Sequence, residues 1–319
     1  MARTGPSKNA RRAKTLTETS EALEVPDRHA NEADTAGMST SPKGRVDLWR
    51  VARLDISEAL RARWFALYSI VFGGLVALLF VFGLTESQIL GFLGLSRLLV
   101  TYIQICMAIL PIFVLVTTVR SLAGDREAGV FEYLLSLPVS LAGWFWGKMI
   151  GRFVVIFAPV FLAMAGAAGW AVFQEIPVPW SLFGFYTALL AALCWCFLGI
   201  AMLISTIARS TDVAQGAAFF VWLLMVLFLD IILLGVIVAQ QVEPQIAISI
   251  ALANPLQVFR TAAMMLFDPS MTLLGPSAFV ILDAFGTQGY IAYAIAYPAL
   301  LGSLGAVLGF VIFRRSDLP

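Results

Sequence analysis

The chain has 319 residues, of which 60% are hydrophobic and 13% are charged, and its formal net charge is +1. Soluble domains are on average about half apolar and about one quarter charged, so this composition excludes an ordinary soluble protein and predicts an integral membrane protein. A net charge this close to zero gives no reason to expect nucleic-acid binding.

The first segment, residues 1–44, is polar and has no hydrophobic periodicity, which predicts a disordered N-terminal extension. It contains no apolar run of the kind that forms the middle of a signal peptide. Met38 opens the stretch MSTSPKGRVDLW, so translation from Met38 is an alternative to translation from Met1.

Residues 45–64 have the pattern of an amphipathic helix, because apolar side chains recur at the helical period of 3.6 residues. The apolar face carries Trp49, Ala52, Ile56, Ala59 and Leu60. The other face carries Asp47, Arg50, Ser57, Glu58 and Arg61. A basic helix with a tryptophan on its apolar side is typical of a helix that lies in the membrane interface and contacts lipid. The alternative is a plain helical extension of the first membrane span.

Residues 65–319 contain six apolar runs that are long enough to cross about 30 Å of hydrocarbon. The runs lie roughly at 65–83, 98–119, 152–172, 181–207, 217–239 and 290–313. The predicted fold is therefore an all-α integral membrane domain with six transmembrane helices. An even number of spans places both chain termini on the same side of the membrane.

The positions of the basic residues predict which side that is. The chain has 21 Lys and Arg residues, and with both termini in the cytoplasm only Arg97 and Arg260 fall outside, which leaves 19 (21 − 2) inside. Basic residues are retained on the cytoplasmic side of membrane proteins. We therefore expect a multi-pass protein with both termini cytoplasmic.

Two connecting segments between the runs are long. The inner segment, 120–152, is charged at its start, apolar in its middle and glycine-spaced at its end, which suits contact with a soluble partner. The outer segment, 240–289, contains two short apolar stretches that predict helices re-entering the membrane from outside. The dipeptide Asn254-Pro255 separates them and is typical of a helix start.

The chain lacks the residue sets of common catalytic sites. The single histidine, His29, lies in the N-terminal segment, and no HExxH or GxSxG motif is present. The stretch GWFWGK at 143–148 has the wrong glycine spacing for a Walker motif and is followed by Met149 in place of Ser or Thr. We therefore expect a protein that is not an enzyme, binds no cofactor and does not hydrolyse ATP by itself. The three cysteines, Cys106, Cys194 and Cys196, lie in apolar runs and are predicted to be buried.

Asp230 lies inside the fifth apolar run, where a carboxylate costs several kcal/mol unless it is paired, hydrated or protonated. It is either a functional residue or a hydrogen-bonded group that joins two helices. Three methionines of the outer segment, Met264, Met265 and Met271, are weak candidates for Cu(I) ligands. Methionines are also ordinary apolar filler, and no metal site is predicted with them.

Glycines recur at four-residue spacing in two places. Gly143, Gly147 and Gly151 lead into the third run, and Gly305 and Gly309 lie in the last run. Glycines on one helical face allow another backbone to approach closely. The spacing predicts tight packing inside the subunit or across a dimer, with coincidence as the alternative.

The inner segment resembles that of ABC-2 type permeases, the membrane subunits of certain ATP-driven transporters. The resemblance rests on Gly124-Asp125-Arg126-Glu127-Ala128-Gly129, Phe131-Glu132-Tyr133-Leu134-Leu135, Leu137-Pro138-Val139-Ser140 and Gly147-Lys148. It implies a type V exporter-like fold with an interfacial helix, six spans, a cytoplasmic coupling helix and outer re-entrant helices. It also implies a homodimer in the bacterial inner membrane and a separate ABC ATPase subunit that holds ATP and Mg²⁺. The residues implied to contact the ATPase are Asp125, Arg126, Glu127, Gly129, Phe131, Glu132, Leu135 and Pro138.

Three further stretches resemble the ABC-2 permeases that serve nitrous-oxide-reductase maturation. They are 52–57 with 60–64, 221–234 with Asp230, and 252–255 with Phe259-Arg260. This resemblance implies a NosF-like ATPase inside and a NosD-like periplasmic β-helical copper-maturation protein outside. The implied contacts with the outer protein are Asn254, Pro255, Arg260 and Asp268. The alternatives are an exporter of a drug, lipid or glycan, and a passive membrane anchor that has no ATPase.

Overall fold

The computed structural model describes residues 43–61, 65–74, 92–130, 140–173, 175, 178, 180–228, 249–267 and 277–315. These residues form helices joined by short turns, and no β-strand occurs among them. The helices are α1 Lys43–Arg61, α2 Phe65–Gly74, α3 Phe92–Glu127, α4 Leu141–Phe173, α5 Trp180–Ile207, α6 Thr211–Leu223, α7 Pro255–Phe267 and α8 Ser277–Arg315. A π-helical turn, Leu224–Phe228, continues α6. The all-helical fold class is confirmed for this part of the chain.

Four helices are long and apolar enough to cross a membrane. The candidate spans are Cys106–Glu127, Leu141–Trp170, Trp180–Ile207 and Asp283–Arg315, and they overlap the predicted second, third, fourth and sixth spans. The predicted first and fifth spans overlap the shorter apolar helices Phe65–Gly74 and Thr211–Leu227. The remainder of those two spans lies outside the described residues, so the number six stays a prediction.

The inner connecting segment is partly built from the ends of two long helices. Helix α3 has 36 residues and α4 has 33, whereas about 20 residues suffice to cross the hydrocarbon. Residues 120–127 therefore continue α3, and residues 141–152 begin α4. A turn after α3 contains Gly129 with φ +68°, a conformation that favours glycine. Residues 131–139, where the predicted coupling helix has its centre, lie outside the described part.

Contacts between helices give their relative directions. Glu127 at the end of α3 meets Thr211 at the start of α6, while Ala108 of α3 meets Trp222 near the other end of α6, so the two helices are antiparallel. Helices α5 and α8 are parallel, because Gly302 lies beside Trp195 and Gly309 lies beside Leu203. These directions agree with a chain whose successive spans alternate across the membrane.

Glycines form the closest helix contact, which we call the glycine seam: Gly199 of α5 with Gly302, Gly305 and Gly309 of α8. A Cβ atom on Gly302 would lie 2.6 Å from the Cys196 Cα atom, and one on Gly305 would lie 3.1 Å from the Gly199 carbonyl oxygen. The backbones touch directly, as small residues allow in membrane helices. The predicted close packing of Gly305 and Gly309 thus occurs inside the subunit.

A second glycine contact holds α1 against α4. A Cβ atom on Gly147 would lie 2.7 Å from the Leu48 carbonyl oxygen, and one on Gly151 would lie 3.0 Å from the Ala52 carbonyl oxygen. Ala52 and Ala59 of α1 are buried there, while Trp49 and Leu60 of the predicted apolar face are exposed. The three cysteines are buried in the core, as the sequence predicts.

Candidate functional site

Three consecutive charged residues at the end of α3 contact three different helices. Asp125 pairs with a side chain of α4, Arg126 binds the end of α5, and Glu127 binds the start of α6. Each charge is therefore used inside the subunit. We call the group formed by these three residues together with Lys148, Ser205 and Thr211 the junction.

The first contact of the junction joins α3 to α4 through Lys148. The Lys148 ammonium forms an ion pair with the Asp125 carboxylate and donates a hydrogen bond of 3.0 Å to the Ser121 carbonyl oxygen. It also lies 4.9 Å from the centre of the Trp144 ring, a cation–π distance. Lys148 is only 9% exposed, so its charge depends on these partners.

The second contact binds the last carbonyl groups of α5. The Arg126 guanidinium donates hydrogen bonds to the carbonyl oxygens of Ala208, at 3.2 Å, and Thr206, at 3.4 Å. Helix C-termini leave carbonyl groups without intrahelical partners and carry partial negative charge. A cation placed there both satisfies the carbonyl groups and stabilises the end of the helix.

The third contact caps the start of α6. The two carboxylate oxygens of Glu127 accept hydrogen bonds from the Thr211 backbone N–H, at 2.9 Å, and from the Thr211 hydroxyl, at 2.8 Å. Ser210 adds the ordinary N-cap bond, accepting from the Val213 N–H at 3.3 Å. An anion at a helix N-terminus is favourable because the N–H groups there are unpaired and partly positive.

Ser205 of α5 inserts its hydroxyl group into the backbone of α3. The hydroxyl oxygen accepts hydrogen bonds of 3.1 Å from the N–H groups of Leu122 and Ala123. The hydroxyl donates to the Val119 carbonyl oxygen at 2.6 Å. The last turn of α3, which carries the three charges, is therefore held by α5.

A buried ion pair extends the charged network to α1. The Asp55 carboxylate lies 3.2 Å from Arg152 Nε of α4, and the side chains are 5% and 22% exposed. Burial is the largest influence on the Asp55 carboxyl and raises its pKa above 3.8, while the charges of Arg152 and Lys148 act in the lowering direction. Ionisation of Asp55 is therefore costly at this buried position, and Arg152 partly offsets that cost.

The remaining predicted contacts with the ATPase are only partly described. Gly129 is exposed in the turn that follows α3. Phe131, Glu132, Leu135 and Pro138 lie outside the described residues, as does the intramembrane candidate Asp230. Their roles stay predictions.

Asn254 and Pro255 begin α7, as their sequence predicts. Asn254 is 1% exposed, and its Oδ1 accepts a hydrogen bond of 3.0 Å from the Leu256 N–H. Its Nδ2 donates to the Met225 carbonyl oxygen in the π-helical turn at 2.8 Å. Asn254 therefore caps one helix and holds another. Of the other predicted outer contacts, Arg260 is half-buried on α7, and Asp268 lies outside the described residues.

Hydroxyl groups of tyrosines fix α7 and the turn before it to the neighbouring helices. Tyr293 and Tyr297 of α8 donate to the carbonyl oxygens of Leu252 and Ala253, at 3.0 Å and 2.6 Å. Tyr186 of α5 donates to the Ala263 carbonyl oxygen at 2.9 Å. At the end of the molecule opposite the junction, single hydrogen bonds from tyrosines of α5 and α8 to backbone carbonyl groups thus hold α7 and the residues before it.

The structure describes two of the three methionines that are candidates for Cu(I) ligands. Met264 and Met265 are 7% and 3% exposed, and Met265 packs in the hydrophobic core. Met271 lies outside the described residues. Within the described ranges no group of three or more His, Cys, Asp and Glu side chains is placed to hold a metal ion.

Several residues of the network were not singled out from the sequence. Asp55, Arg152, Ser205 and Thr211 are of ordinary type, and their positions showed no motif. Arg152 offered one signal, because it is a charged residue at the first position of a predicted span. This network joins five helices, α1, α3, α4, α5 and α6, through charges and hydrogen bonds.

Residues 49–318 match the family described as ABC-2 family transporter protein. The chain is 25% identical over 277 residues to the probable ABC transporter permease protein NosY of Stutzerimonas stutzeri, covering 84% of this chain and 98% of that protein. It is 24% identical over 228 residues to the protein of the same name from Pseudomonas aeruginosa, covering 69% of this chain and 82% of that protein. The matched range 49–318 spans the junction and the start of α7.

Proposed function

Because this chain belongs to the ABC-2 family of transporter proteins, we propose that it is the permease subunit of an ATP-driven complex that supports copper-site maturation of a periplasmic nitrous oxide reductase. A separate NosF-like ATPase subunit binds ATP and Mg²⁺. Two copies of the chain form a homodimer in the inner membrane, with both termini in the cytoplasm.

The proposal that ATP hydrolysis drives this permease is supported mainly by the geometry of the junction. The end of α3 leads directly into the segment that resembles a coupling helix, and its three charges are bonded to α4, α5 and α6. A partner that moves this end therefore acts on four helices at once. Movement requires contacts that differ between two states, and closure of the ATPase subunits on this end supplies that difference.

The distribution of charge supports the orientation in this proposal. The exposed arginines Arg209, Arg314 and Arg315 lie near the junction, since the end of α8 packs against the start of α4 through Phe313 and Trp144. Arg260 belongs to the opposite end. Basic residues mark the cytoplasmic side of a membrane protein, so the junction faces the cytoplasm in this proposal.

The copper-maturation part rests on the three stretches that resemble nitrous-oxide-reductase-maturation permeases and on the NosY name of the two relatives. In this proposal the permease transmits movement to a NosD-like periplasmic protein and does not itself bind copper. Asn254, Pro255, Arg260 and Asp268 form the contact with that protein. Asn254 supports this role because it connects α7 to α6.

The test is a pull-down of the tagged chain in mild detergent from its native host under denitrifying growth, with mass spectrometry of the partners. We expect an ABC ATPase and a periplasmic β-helical protein in the same complex. Recovery of the ATPase alone, with ATP hydrolysis stimulated by an amphipathic substrate, would replace the maturation role with export of a drug, lipid or glycan. Recovery of neither partner would overturn the ATP-driven role and favour a passive anchor.

A further inference from the structure

We propose that α6, together with the π-helical turn that continues it, is a rod that carries movement from the junction to α7. Glu127 holds one end of the rod and Asn254 holds the other. This inference rests on the proposed function, because it names the internal route by which ATP-driven movement of α3 reaches the opposite end of the subunit.

The near end of the rod is attached by a pair of bonds to one residue. Both carboxylate oxygens of Glu127 are used by Thr211, one by its N–H and one by its hydroxyl. Hydrogen bonds to an ionised acceptor are shorter and stronger than those between neutral groups. Gly124 lies one turn before Glu127, and a Cβ there would lie 3.6 Å from the Thr211 methyl carbon, so the two helices touch at this point.

The far end of the rod is attached through a carbonyl group. The turn Leu224–Phe228 is π-helical, a rare conformation that occurs mostly as single turns within α-helices and is frequent at functional sites. The Met225 carbonyl oxygen in this turn accepts the bond from the Asn254 amide. Since Asn254 also caps α7, a shift of the π-helical turn acts on the first turn of α7.

Between its two ends the rod packs mainly against α3, and much of its other surface is exposed. Trp222 Nε1 donates to the Ala108 carbonyl oxygen at 3.3 Å, so α3 holds α6 at two points. The buried side of α6 carries the small residues Ala214 and Ala218, while Phe219 and Phe220 are exposed. About 21 Å of helix separates Thr211 from Met225 at 1.5 Å per residue.

A fluorescent label in the turn just before α7 tests whether movement of the junction reaches this end of the subunit. The native cysteines are buried, so Ala253→Cys, an exposed position beside Asn254, gives a single accessible thiol for an environment-sensitive dye. The protein is the full chain in its purified complex with the co-purifying ATPase. The measurement is the change in dye emission when Mg·ATP is added, normalised to the amount of bound ATPase.

Thr211→Val removes the hydroxyl donor and keeps the side-chain shape, and Asn254→Ala removes the far attachment. We expect each variant to lower the ATP-induced change about fivefold or more, the lower limit of typical couplings between distant sites. The double variant loses less than the sum of the two single losses, because both changes weaken one route. Thr211→Ser keeps the hydroxyl and is expected to retain the full change.

The outcomes separate the two proposals. An unchanged ATP-induced signal in both Thr211→Val and Asn254→Ala would overturn the rod and leave the proposed function standing. Additive losses in the double variant would also overturn it, since they indicate independent routes. If no ATPase co-purifies with the wild-type chain, the proposed function fails and the rod fails with it. Asn254→Asp, which keeps the acceptor for the α7 cap but loses the donor to Met225, gives a second measurement if Asn254→Ala does not fold.

Discussion

Helix α5 is joined to its neighbours in two different ways. Along the glycine seam its backbone lies directly against that of α8, and no side chain separates Gly199 from Gly302. At the junction, in contrast, its last turns are joined to α3 through the side chains of Ser205 and Arg126. One contact is made by backbone atoms and the other by polar groups.

The difference indicates which contact can change during function. A backbone contact at this distance cannot shift without a clash, because protein interiors are closely packed and do not deform continuously. A hydrogen bond can exchange one partner for another at a small net cost. We therefore expect α5 and α8 to move as one body, and the bonds that Ser205 and Arg126 form between α5 and α3 to be the ones that change.

The largest expected effect comes from breaking the glycine seam with Gly302→Val. The new Cβ would lie 2.6 Å from the Cys196 Cα atom, so the helices must separate. We expect a loss of more than about 4 kcal/mol, which is enough to prevent folding of many proteins. The measurement is the yield of monodisperse protein on size exclusion after detergent extraction.

Gly184→Val is the matched control, because a Cβ atom on Gly184 of α5 would meet nothing within 4 Å. It introduces the same side chain into a membrane helix, and we expect normal yield. Equal yields from Gly302→Val and Gly184→Val would show that the seam is not a rigid backbone contact.

The next largest effect is expected at the contact between α1 and α4, which combines close glycine packing with a charged pair. Arg152→Leu leaves the Asp55 carboxyl, 5% exposed, without its cation. We expect a loss of about 3 kcal/mol at neutral pH, the range for removing one partner of a buried pair. The measurement is the unfolding temperature in detergent, followed by tryptophan fluorescence.

The pH dependence of this variant has a defined sign. Burial raises the pKa of Asp55 in the folded chain above 3.8, and loss of Arg152 removes a lowering influence. When the pKa of a carboxyl is higher in the folded chain than in the unfolded chain, its protonated form favours the fold. That contribution is complete below the pKa of the unfolded chain and is lost as the pH rises through the pKa of the folded chain. Lowering the pH to about 4 therefore recovers the stability of Arg152→Leu. The double variant Asp55→Leu with Arg152→Leu should unfold near the wild-type temperature at both pH values. If the double variant were as unstable as Arg152→Leu, the instability would not come from an unpaired Asp55 charge.

The smallest effect is expected from Ser205→Ala at the junction. The change leaves the buried N–H groups of Leu122 and Ala123 without the hydroxyl oxygen they bind. We expect a loss of about 0.5–1.5 kcal/mol, the net contribution of a typical hydrogen bond, because both N–H groups remain inside α3. Hydrogen exchange should accelerate at Leu122 and Ala123 and stay slow along the glycine seam.

Thr187→Val serves as the control for Ser205→Ala, because the Thr187 hydroxyl binds only the Phe183 carbonyl oxygen of its own helix. It should leave exchange at the end of α3 unchanged. Protection of Leu122 and Ala123 in Ser205→Ala equal to that in the control would show that α3 does not depend on α5 there.

The sequence predicted the elements better than their contacts. The pairs Gly147 with Gly151 and Gly305 with Gly309 indicated close helix packing, and Asn254-Pro255 indicated the start of α7. These signals are local, since each depends on residues within one or two turns of helix. The same spacing did not reveal that Gly147 faces α1 and Gly305 faces α5.

The charged residues 125–127 show why the contacts between helices could not be predicted from the sequence. The contact of Asp125, Arg126 and Glu127 with an ATPase stays a prediction. The sequence did not reveal their partners inside the subunit, which are Lys148, the end of α5 and Thr211. The partner of Asp55 was equally hidden, because no local pattern indicates that Arg152 of another helix lies beside it.

By itself, the sequence determined that this is a helical membrane protein, where its apolar runs lie and which ends carry the basic residues. Those properties follow from hydropathy and charge summed over short windows of chain. Only the tertiary structure decided which helices meet and which charges pair. Glu127 and Thr211 are 84 positions apart, and a bond over that separation depends on how every intervening helix packs.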